Sequence, residues 1–234
     1  MNFNSYIFIF AFLPLCLACY RIVASLHIGN DKNKKGTLLK LLLTAFSVAF
    51  YAYASVRSLV LIAVSLAVNY CFISVSSGRQ LSAKQVKALK AVCVIFNLAV
   101  LGYFKYYNFF MGSVSWFMGH DYTLKSILLP LGISYVTFQQ ISVVIDTANG
   151  EIRKAPLLDY VLYIMYFPKV LSGPIANFEE MEEQFADIAE RSKWNAERFY
   201  RGAALLILGM GEKCIFAAWM SNAVNFAYDN VATL

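Results

Sequence analysis

The chain has 234 residues, of which 59% are hydrophobic and only 15% are charged. A typical soluble domain contains about 25% charged residues, so this composition favours an integral membrane protein over a soluble one. The net charge is +6, but the basic residues lie in short loops between apolar segments and form no single patch. Membrane lipid with anionic headgroups is therefore an expected partner, and nucleic acid is not. The length allows one membrane domain, residues 1–234.

The apolar segments, taken in chain order, predict an all-α, polytopic bundle of membrane helices. The predicted spans are residues 5–24, 41–54, 58–75, 91–110 and 126–145. No basic region precedes the first span, so we interpret it as a retained helix and not as a signal peptide. The second span is short for a helix that needs about 20 residues to cross the hydrocarbon. We therefore expect it to tilt little or to enter from the interface.

The basic loops predict the orientation of these helices. Residues 27–40 and 78–90 each contain four Lys or Arg, whereas residues 111–125 contain one. Because basic loops stay on the cytoplasmic side, the N-terminus is expected outside and the protein in the inner membrane. Counting onward places residues 149–155, which hold two more basic residues, back in the cytoplasm. Successive loops thus alternate between the two sides of the membrane, in agreement with the number of predicted spans.

The hydropathy pattern is broken in residues 157–175, which are apolar but contain two prolines. Proline removes a backbone donor and clashes with the preceding turn, so Pro168 predicts that a helix ends near Phe167. Irregular backbone at membrane depth is tolerated only where protein or water satisfies it. The segment is therefore predicted to be a re-entrant or interfacial element.

The remainder of the chain contains one acidic segment and two apolar runs. Residues 178–193 hold six of the fourteen acids, and their apolar positions recur at helical spacing. This pattern predicts an amphipathic surface helix. Residues 203–210 and 215–224 are two further apolar runs, split by Gly211 to Lys213.

The fifth span carries the most polar residues, and its region reads LLPLGISYVTFQQISVVIDTANGEI at residues 128–152. Tyr135, Gln139, Ser142 and Asp146 are spaced four, three and four residues apart, which places them on one face of a helix. Unsatisfied polar groups in hydrocarbon cost several kcal/mol each, so this face must look into protein or into a wet cavity. It either lines a substrate path or bonds neighbouring helices, and Asp146 is expected at the cytoplasmic end.

Residues 128–152, together with YFPKVLSGPI at 166–175, resemble the signature region of the membrane-bound O-acyltransferase family. LGYFKYYNFF at 101–110 is also typical of its bacterial branch, which includes alginate O-acetylation proteins and the D-alanyl transfer protein of teichoic acids. The match follows the family's order over most of the chain, as the amino-terminal portion of a longer acyltransferase. The resemblance implies a membrane enzyme with a funnel, which moves an acyl group onto hydroxyls of a cell-surface polysaccharide.

The same resemblance implies an acyl-CoA or acyl carrier thioester as the donor and no tightly bound cofactor. The expected partner is a cell-surface glycan or an exported acyltransferase. The family's catalytic histidine lies in a segment downstream of the residues present here. The chain's two histidines, His27 and His120, do not lie in that motif, so no catalytic residue is predicted in this chain. A membrane transporter and a non-catalytic scaffold for an exported acyltransferase are the alternatives.

The candidates for lining the substrate funnel are Tyr135, Gln139, Ser142, Lys105 and Lys169. Lys105 lies near the outer end of the fourth span, where the alternative is a lysine that snorkels to the interface. Lys169 follows Pro168 in the broken segment, and irregular backbone that lines a cavity is typical of membrane sites. Cys16 and Cys19 form a C-x-x-C inside an apolar span, but no partner ligands lie near them in the sequence, so no metal site is predicted.

Overall fold

The computed structural model describes residues 3–26, 32–78, 81–119, 123, 125–152, 155–169 and 176–229. Every regular element within these ranges is helical. Five helical stretches are long and apolar enough to cross a membrane: Phe8–Ser25, Lys32–Ala54, Val56–Ser76, Ala83–Met118 and Ala196–Asp229. The protein is therefore an all-α, polytopic integral membrane protein, as its composition predicts.

The chain divides into two compact units, Ala18–Arg191 and Met1–Leu17 together with Ser192–Leu234. The helices are α1 (Leu13–Ser25), α2 (Lys32–Ala54), α3 (Val56–Gly78), α4 (Ala83–Leu101), α5 (Tyr107–Met118), α6 (Ile133–Asn149), α7 (Leu157–Met165), α8 (Phe178–Ala186), α9 (Ile188–Arg191), α10 (Ala196–Gly211) and α11 (Ala218–Asp229). Stretches of π-helix adjoin them at Phe8–Phe12, Gly102–Tyr106 and Glu212–Ala217.

Helix α2 has 23 residues, so the prediction of a short second span is wrong. Lysines that were assigned to the preceding loop form its first turns, because lysine is a good helix former whose stem packs along apolar surface. Lys40, in the third turn, forms an ion pair with α7, in which its Nζ lies 2.6 Å from Asp159 Oδ1. Only 15% and 9% of the two side chains are exposed. The ion pair therefore joins two helices inside the larger unit.

Helix α6 begins at Ile133, so the predicted start of the fifth span at residue 126 is too early. Residues 125–130 form no regular element, and Gly132, with a φ of 67°, precedes the first turn of the helix. The helix ends at Asn149, and the next residue, Gly150, has a φ of 83°, in the left-handed region that terminates helices. Its buried residues pack against α3, α4 and α7. Helix α6 is therefore a buried element of the larger unit.

The predicted break after α7 is confirmed. Helix α7 ends at Met165, two residues before the predicted position, and the chain then turns through residues 167–169. Residues 170–175 lie outside the described ranges, so the re-entrant or interfacial element stays a prediction. The structure therefore shows where α7 ends but does not describe the segment that follows it.

The amphipathic acidic segment is also confirmed, although it forms two short helices, α8 and α9, that separate at Asp187. Phe178, Phe185 and Ile188 are buried, and most of the acids are exposed. Lys32 at the start of α2 lies 3.6 Å from Glu190 in α9. The acidic helices therefore lie next to the basic end of α2.

In the smaller unit, α10, the π-helical stretch Glu212–Ala217 and α11 follow one another without interruption. The two apolar runs therefore belong to one continuous helical stretch. Glutamate and lysine are good helix formers, and a wider π-helical stretch begins directly after the glycine.

Candidate functional site

Helix α6 carries polar side chains on two sides, and those on the first side fix it against α3 and α4. Gln140 Oε1 accepts hydrogen bonds from Ser65 Oγ at 2.7 Å and from Asn69 Nδ2 at 3.2 Å. Asn97 Nδ2 in turn donates to Asn69 Oδ1 at 2.7 Å. All four side chains are buried. Interhelical hydrogen bonds stabilise membrane helix packing, so this network determines which side of α6 faces which neighbour.

Gln139 is fully buried beside the Tyr163 hydroxyl, and neither its carboxamide oxygen nor its nitrogen makes a hydrogen bond of good geometry with a described residue. Burial of a polar group without a good hydrogen bond lowers the stability of a protein by about 1–3 kcal/mol, so a purely structural role does not explain Gln139 at this position. Tyr135, one turn earlier, is half-buried, and its hydroxyl lies near those of Tyr51 and Tyr163. Both funnel candidates therefore lie within the larger unit, next to α2 and α7.

Ser142 and Asp146 line a cavity of about 140 Å³ at the C-terminal end of α6. Ser142 Oγ donates a hydrogen bond of 3.2 Å to Asp146 Oδ2. Glu151 and Glu179 also line the cavity, and both lie close enough to Asp146 for their charges to repel its own. Asn177 completes the polar lining. The cavity is therefore acidic and has access to the polar face of α6.

Lys105 lies at the opposite end of α6. Its Nζ donates a hydrogen bond of 3.2 Å to Ser134 Oγ in the first turn of that helix and lies 5.4 Å from the centroid of the Tyr106 ring. The side chain is exposed. Its position beside α6 is compatible with a funnel mouth and with a snorkelling lysine, so both interpretations stay open.

Lys169 is only 7% exposed, although it follows a proline in a turn. Its Nζ lies 3.7 Å from the centroid of the Tyr163 ring and has no hydrogen-bond partner among the described residues. Tyr163 donates its own hydroxyl proton to Ala176 O at 2.7 Å. Burial lowers the pKa of Lys169 to about 7. Tyr163 thus lies near both Lys169 and Tyr135, so two of the candidates meet around one aromatic side chain.

His27 and His120 lie outside the described residues. Within the described ranges, no group of three His, Cys, Asp or Glu side chains is arranged to hold a metal ion.

A second cavity, of about 250 Å³, is lined by residues that the sequence analysis did not select, including Arg57, Ser58 and Tyr103. The network around Gln140 was also missed. Asn69 and Asn97 are visible in the sequence as polar residues in apolar runs, but nothing in the sequence indicates that they pair.

Comparison with known proteins identifies related sequences over the whole chain. The profile of the membrane-bound O-acyltransferase family, MBOAT, matches residues 2–233. The probable alginate O-acetylase AlgI of Pseudomonas aeruginosa is 30% identical over 245 residues, which cover 100% of this chain and 43% of that protein. The peptidoglycan O-acetyltransferase of Helicobacter pylori is 28% identical over 257 residues, and the match covers 99% of this chain and 47% of that protein.

A teichoic acid D-alanyltransferase of Streptococcus thermophilus is 30% identical over 69 residues, which cover 30% of this chain and 17% of that protein. The chain thus spans less than half the length of the curated relatives that it matches from end to end. No solved structure matches the chain.

Proposed function

This chain belongs to the membrane-bound O-acyltransferase family, and we propose that it forms part of a membrane enzyme that acylates hydroxyl groups of a cell-surface polysaccharide. Support comes from relatives whose names describe O-acetylation of alginate and of peptidoglycan. The transferred group is acetyl or a similar acyl group. The donor is an acyl-CoA or acyl carrier thioester that acts as a substrate, and no cofactor is bound tightly.

The observation that carries the proposal is the inward polar face of α6. Gln139 is fully buried with a carboxamide that lacks a well-oriented hydrogen bond to the described residues, and Ser142 opens on a cavity. Polar groups placed inside a membrane protein at a cost in stability mark a site or a path. Tyr135, Gln139 and Ser142 therefore form one wall of the substrate funnel, with Lys105 and Lys169 as its cationic groups.

The general base is not assigned to the described residues, because none of them is a histidine. Imidazole is the side chain best suited to activate a hydroxyl near neutral pH. His27 and His120 lie outside the motif that carries the family's catalytic histidine. The role of the described residues in this proposal is therefore to position the substrates.

The protein lies in the inner membrane with its N-terminus outside, according to the distribution of basic loops. One of the two cavities supports the predicted alternation of helix ends. It brings together residues 57–58, 103–104 and 126–128, all of which belong to the predicted outer side. The acyl acceptor on the outer side is the glycan itself or an exported acyltransferase that passes the group on.

The test is to replace Gln139 by leucine in the protein as it is encoded in the cell and to measure ester-linked acyl groups on purified polysaccharide by NMR. Because the carboxamide has no hydrogen-bond partner among the described residues, the substitution should preserve stability and yet reduce acylation strongly. Ser113→Ala is the matched control, since Ser113 is exposed and its hydroxyl donates a hydrogen bond to Phe109 O of its own helix. The control should acylate normally.

Normal acylation by the Gln139→Leu variant would contradict the funnel. Flux of a solute through reconstituted vesicles in the absence of any acyl donor would favour the transporter hypothesis instead. Stable co-purification with an exported acyltransferase, without acyl turnover by the membrane protein, would favour the scaffold.

A further inference from the structure

Lys169 is a buried amine to which the proposed reaction gives no step of its own. Its Nζ has neither a hydrogen-bond partner nor an ion-pair partner among the described residues. Lys40 provides a contrast within the same unit, since it is also largely buried but pairs with Asp159. Removal of an ammonium group from water is strongly unfavourable unless a partner compensates for it. The fold therefore keeps Lys169 at a cost in stability, which is typical of a functional group.

The contacts of the turn after α7 place Lys169 well inside the larger unit. The backbone N–H of Phe167 donates to Ser47 Oγ at 3.2 Å, and the Phe167 ring centroid lies 5.8 Å from that of Phe50. Ser47 lies in the fifth turn of α2, about 22 Å along the helix axis from its first residue. The turn is therefore fixed at the level of the inner part of α2, and the amine does not belong to a surface loop.

Tyr163 determines where the amine lies. Lys169 Nζ is 3.7 Å from the centroid of the Tyr163 ring, which is close enough for a cation–π interaction. Tyr163 is itself fixed, because its hydroxyl donates to Ala176 O at 2.7 Å and its ring packs edge-to-face on Phe178 with centroids 5.3 Å apart. The ring contacts the ammonium group as a whole, and none of its three N–H donors makes a hydrogen bond to a described residue. The amine is therefore held in place with its donors unused.

Three unused N–H donors in a water-poor interior favour an oxygen ligand that carries or gains negative charge. During acyl transfer from a thioester, the carbonyl oxygen gains such a charge when a hydroxyl attacks the carbonyl carbon. A cation without a counter-ion interacts more strongly with this developing charge than with the neutral carbonyl. Only interactions that strengthen in the transition state accelerate a reaction, so the amine has the chemistry of an electrostatic catalyst.

We propose that Lys169 is a catalytic residue whose ammonium group binds the carbonyl oxygen of the acyl donor and stabilises the negative charge that develops there. A C–O bond forms between the acceptor oxygen and the carbonyl carbon, and the carbonyl π electrons move onto the oxygen beside Lys169. The C–S bond then breaks as the carbonyl re-forms, and the thiolate leaves with the electron pair of that bond. The hydroxyl proton passes to the general base, and Lys169 keeps its own protons throughout. This role rests on the proposed function, whereas the buried, unpaired amine rests on the structure alone.

A phosphate group of the donor is a competing ligand, because lysine binds phosphates as a point charge. The burial of Lys169 favours the carbonyl. A phosphate would enter the interior with a full charge that one ammonium group does not balance, and an unbalanced buried charge is strongly unfavourable. A carbonyl is neutral when it arrives, so its burial costs far less.

The test compares Lys169→Met with the wild type, using the full protein in nanodiscs, acetyl-CoA as donor and purified cell-surface polysaccharide as acceptor. The substitution should lower kcat about a hundredfold, as expected for loss of one group that stabilises an oxyanion, with little change in KM for the donor. The melting temperature should be unchanged or higher, because the amine has no described partner for the substitution to remove. Lys87→Met is the matched control, since Lys87 is exposed on α4, and it should keep the wild-type kcat.

A second readout requires no acceptor. Infrared difference spectra of bound acetyl-CoA, isotope-labelled at the acetyl carbonyl carbon, report the strength of the C=O bond. A hydrogen bond from the amine weakens that bond, so the carbonyl stretch should lie at lower frequency in the wild type and in Lys87→Met than in Lys169→Met.

An unchanged kcat of Lys169→Met, per folded protein, would overturn the proposal, and so would equal carbonyl frequencies in the three proteins. A raised KM with an unchanged kcat would also overturn it and would assign the amine to a phosphate of the donor. A frequency shift that depends on Lys169, in a protein that transfers nothing to polysaccharide, would reject the proposed function and leave the carbonyl site standing. Acyl transfer that Lys169→Met does not impair would do the reverse.

Discussion

Adjacent glutamines on α6 allow a sharp test of the difference between a structural and a functional polar group. Gln140→Leu removes the acceptor of two hydrogen bonds, from Ser65 and from Asn69. Interhelical hydrogen bonds in membrane proteins contribute about 0.6 kcal/mol each on average, so the two account for about 1.2 kcal/mol. Asn69 keeps its bond to Asn97, but the Ser65 hydroxyl loses its partner. The expected loss in the free energy of unfolding is about 1–2 kcal/mol.

The assay is unfolding in mixed micelles titrated with a denaturing detergent, followed by loss of helical circular dichroism. A double-mutant cycle with Ser65→Ala isolates the pair, and its coupling energy should be about 0.6 kcal/mol and at most about 1.7 kcal/mol. Gln139→Leu is the matched control, because it removes a carboxamide with no hydrogen-bond partner among the described residues. It should be neutral or slightly stabilising. The reasoning is refuted if Gln139→Leu destabilises as much as Gln140→Leu, or if the coupling is indistinguishable from zero.

Three further substitutions test other contacts. Lys40→Met leaves Asp159 buried without its partner and should cost about 3 kcal/mol, whereas the double variant with Asp159→Asn should recover most of this loss in the same titration. Lys169 lies outside the candidate spans, and burial lowers its pKa in the folded protein from the usual 10.5 to about 7. Between pH 7 and pH 10.5 the unfolded state therefore binds more protons than the folded state. Wild-type stability should therefore rise with pH across this window, and Lys169→Met should flatten the rise seen in thermal melts; an unchanged slope would contradict burial of the amine. Gly150→Ala should lower the melting temperature because of the positive φ, at a cost of about 1 kcal/mol, whereas Gly112→Ala in a helix with free space should raise it slightly; equal effects would exclude backbone strain as the cause.

The presence of the membrane helices could be predicted, because the length and composition of an apolar segment indicate directly whether it can span a membrane. The ends of the helices were harder to predict, because they depend on individual contacts and backbone dihedral angles. The start of α2 was missed because Lys40 was assigned to a loop, although its charge is matched by Asp159, which is distant in sequence. The start of α6 was placed too early because apolar residues before Gly132 resemble a span by composition alone. In both places the deciding contact or dihedral angle is absent from a hydropathy profile.

The candidate site was predictable only in part, for a related reason. The spacing of Tyr135, Gln139, Ser142 and Asp146 identified a polar face, and the structure places Gln139 in the interior and Ser142 and Asp146 at a cavity. The partners of that face could not be derived. Hydrogen bonds between residues far apart in the chain, such as that of Asn69 with Gln140, depend on the packing of three helices. No single segment contains that information.

The ion pair between α2 and α7 also constrains the order of events during biosynthesis. Ribosomes deliver α2 to the bilayer well before α7 has been translated, because the chain is made from its N-terminus. Until Asp159 emerges, the ammonium group of Lys40 has no counter-ion in the interior and stays near the headgroups, which its long stem can reach. We therefore expect the ion pair between Lys40 and Asp159 to form only when α7 docks against α2.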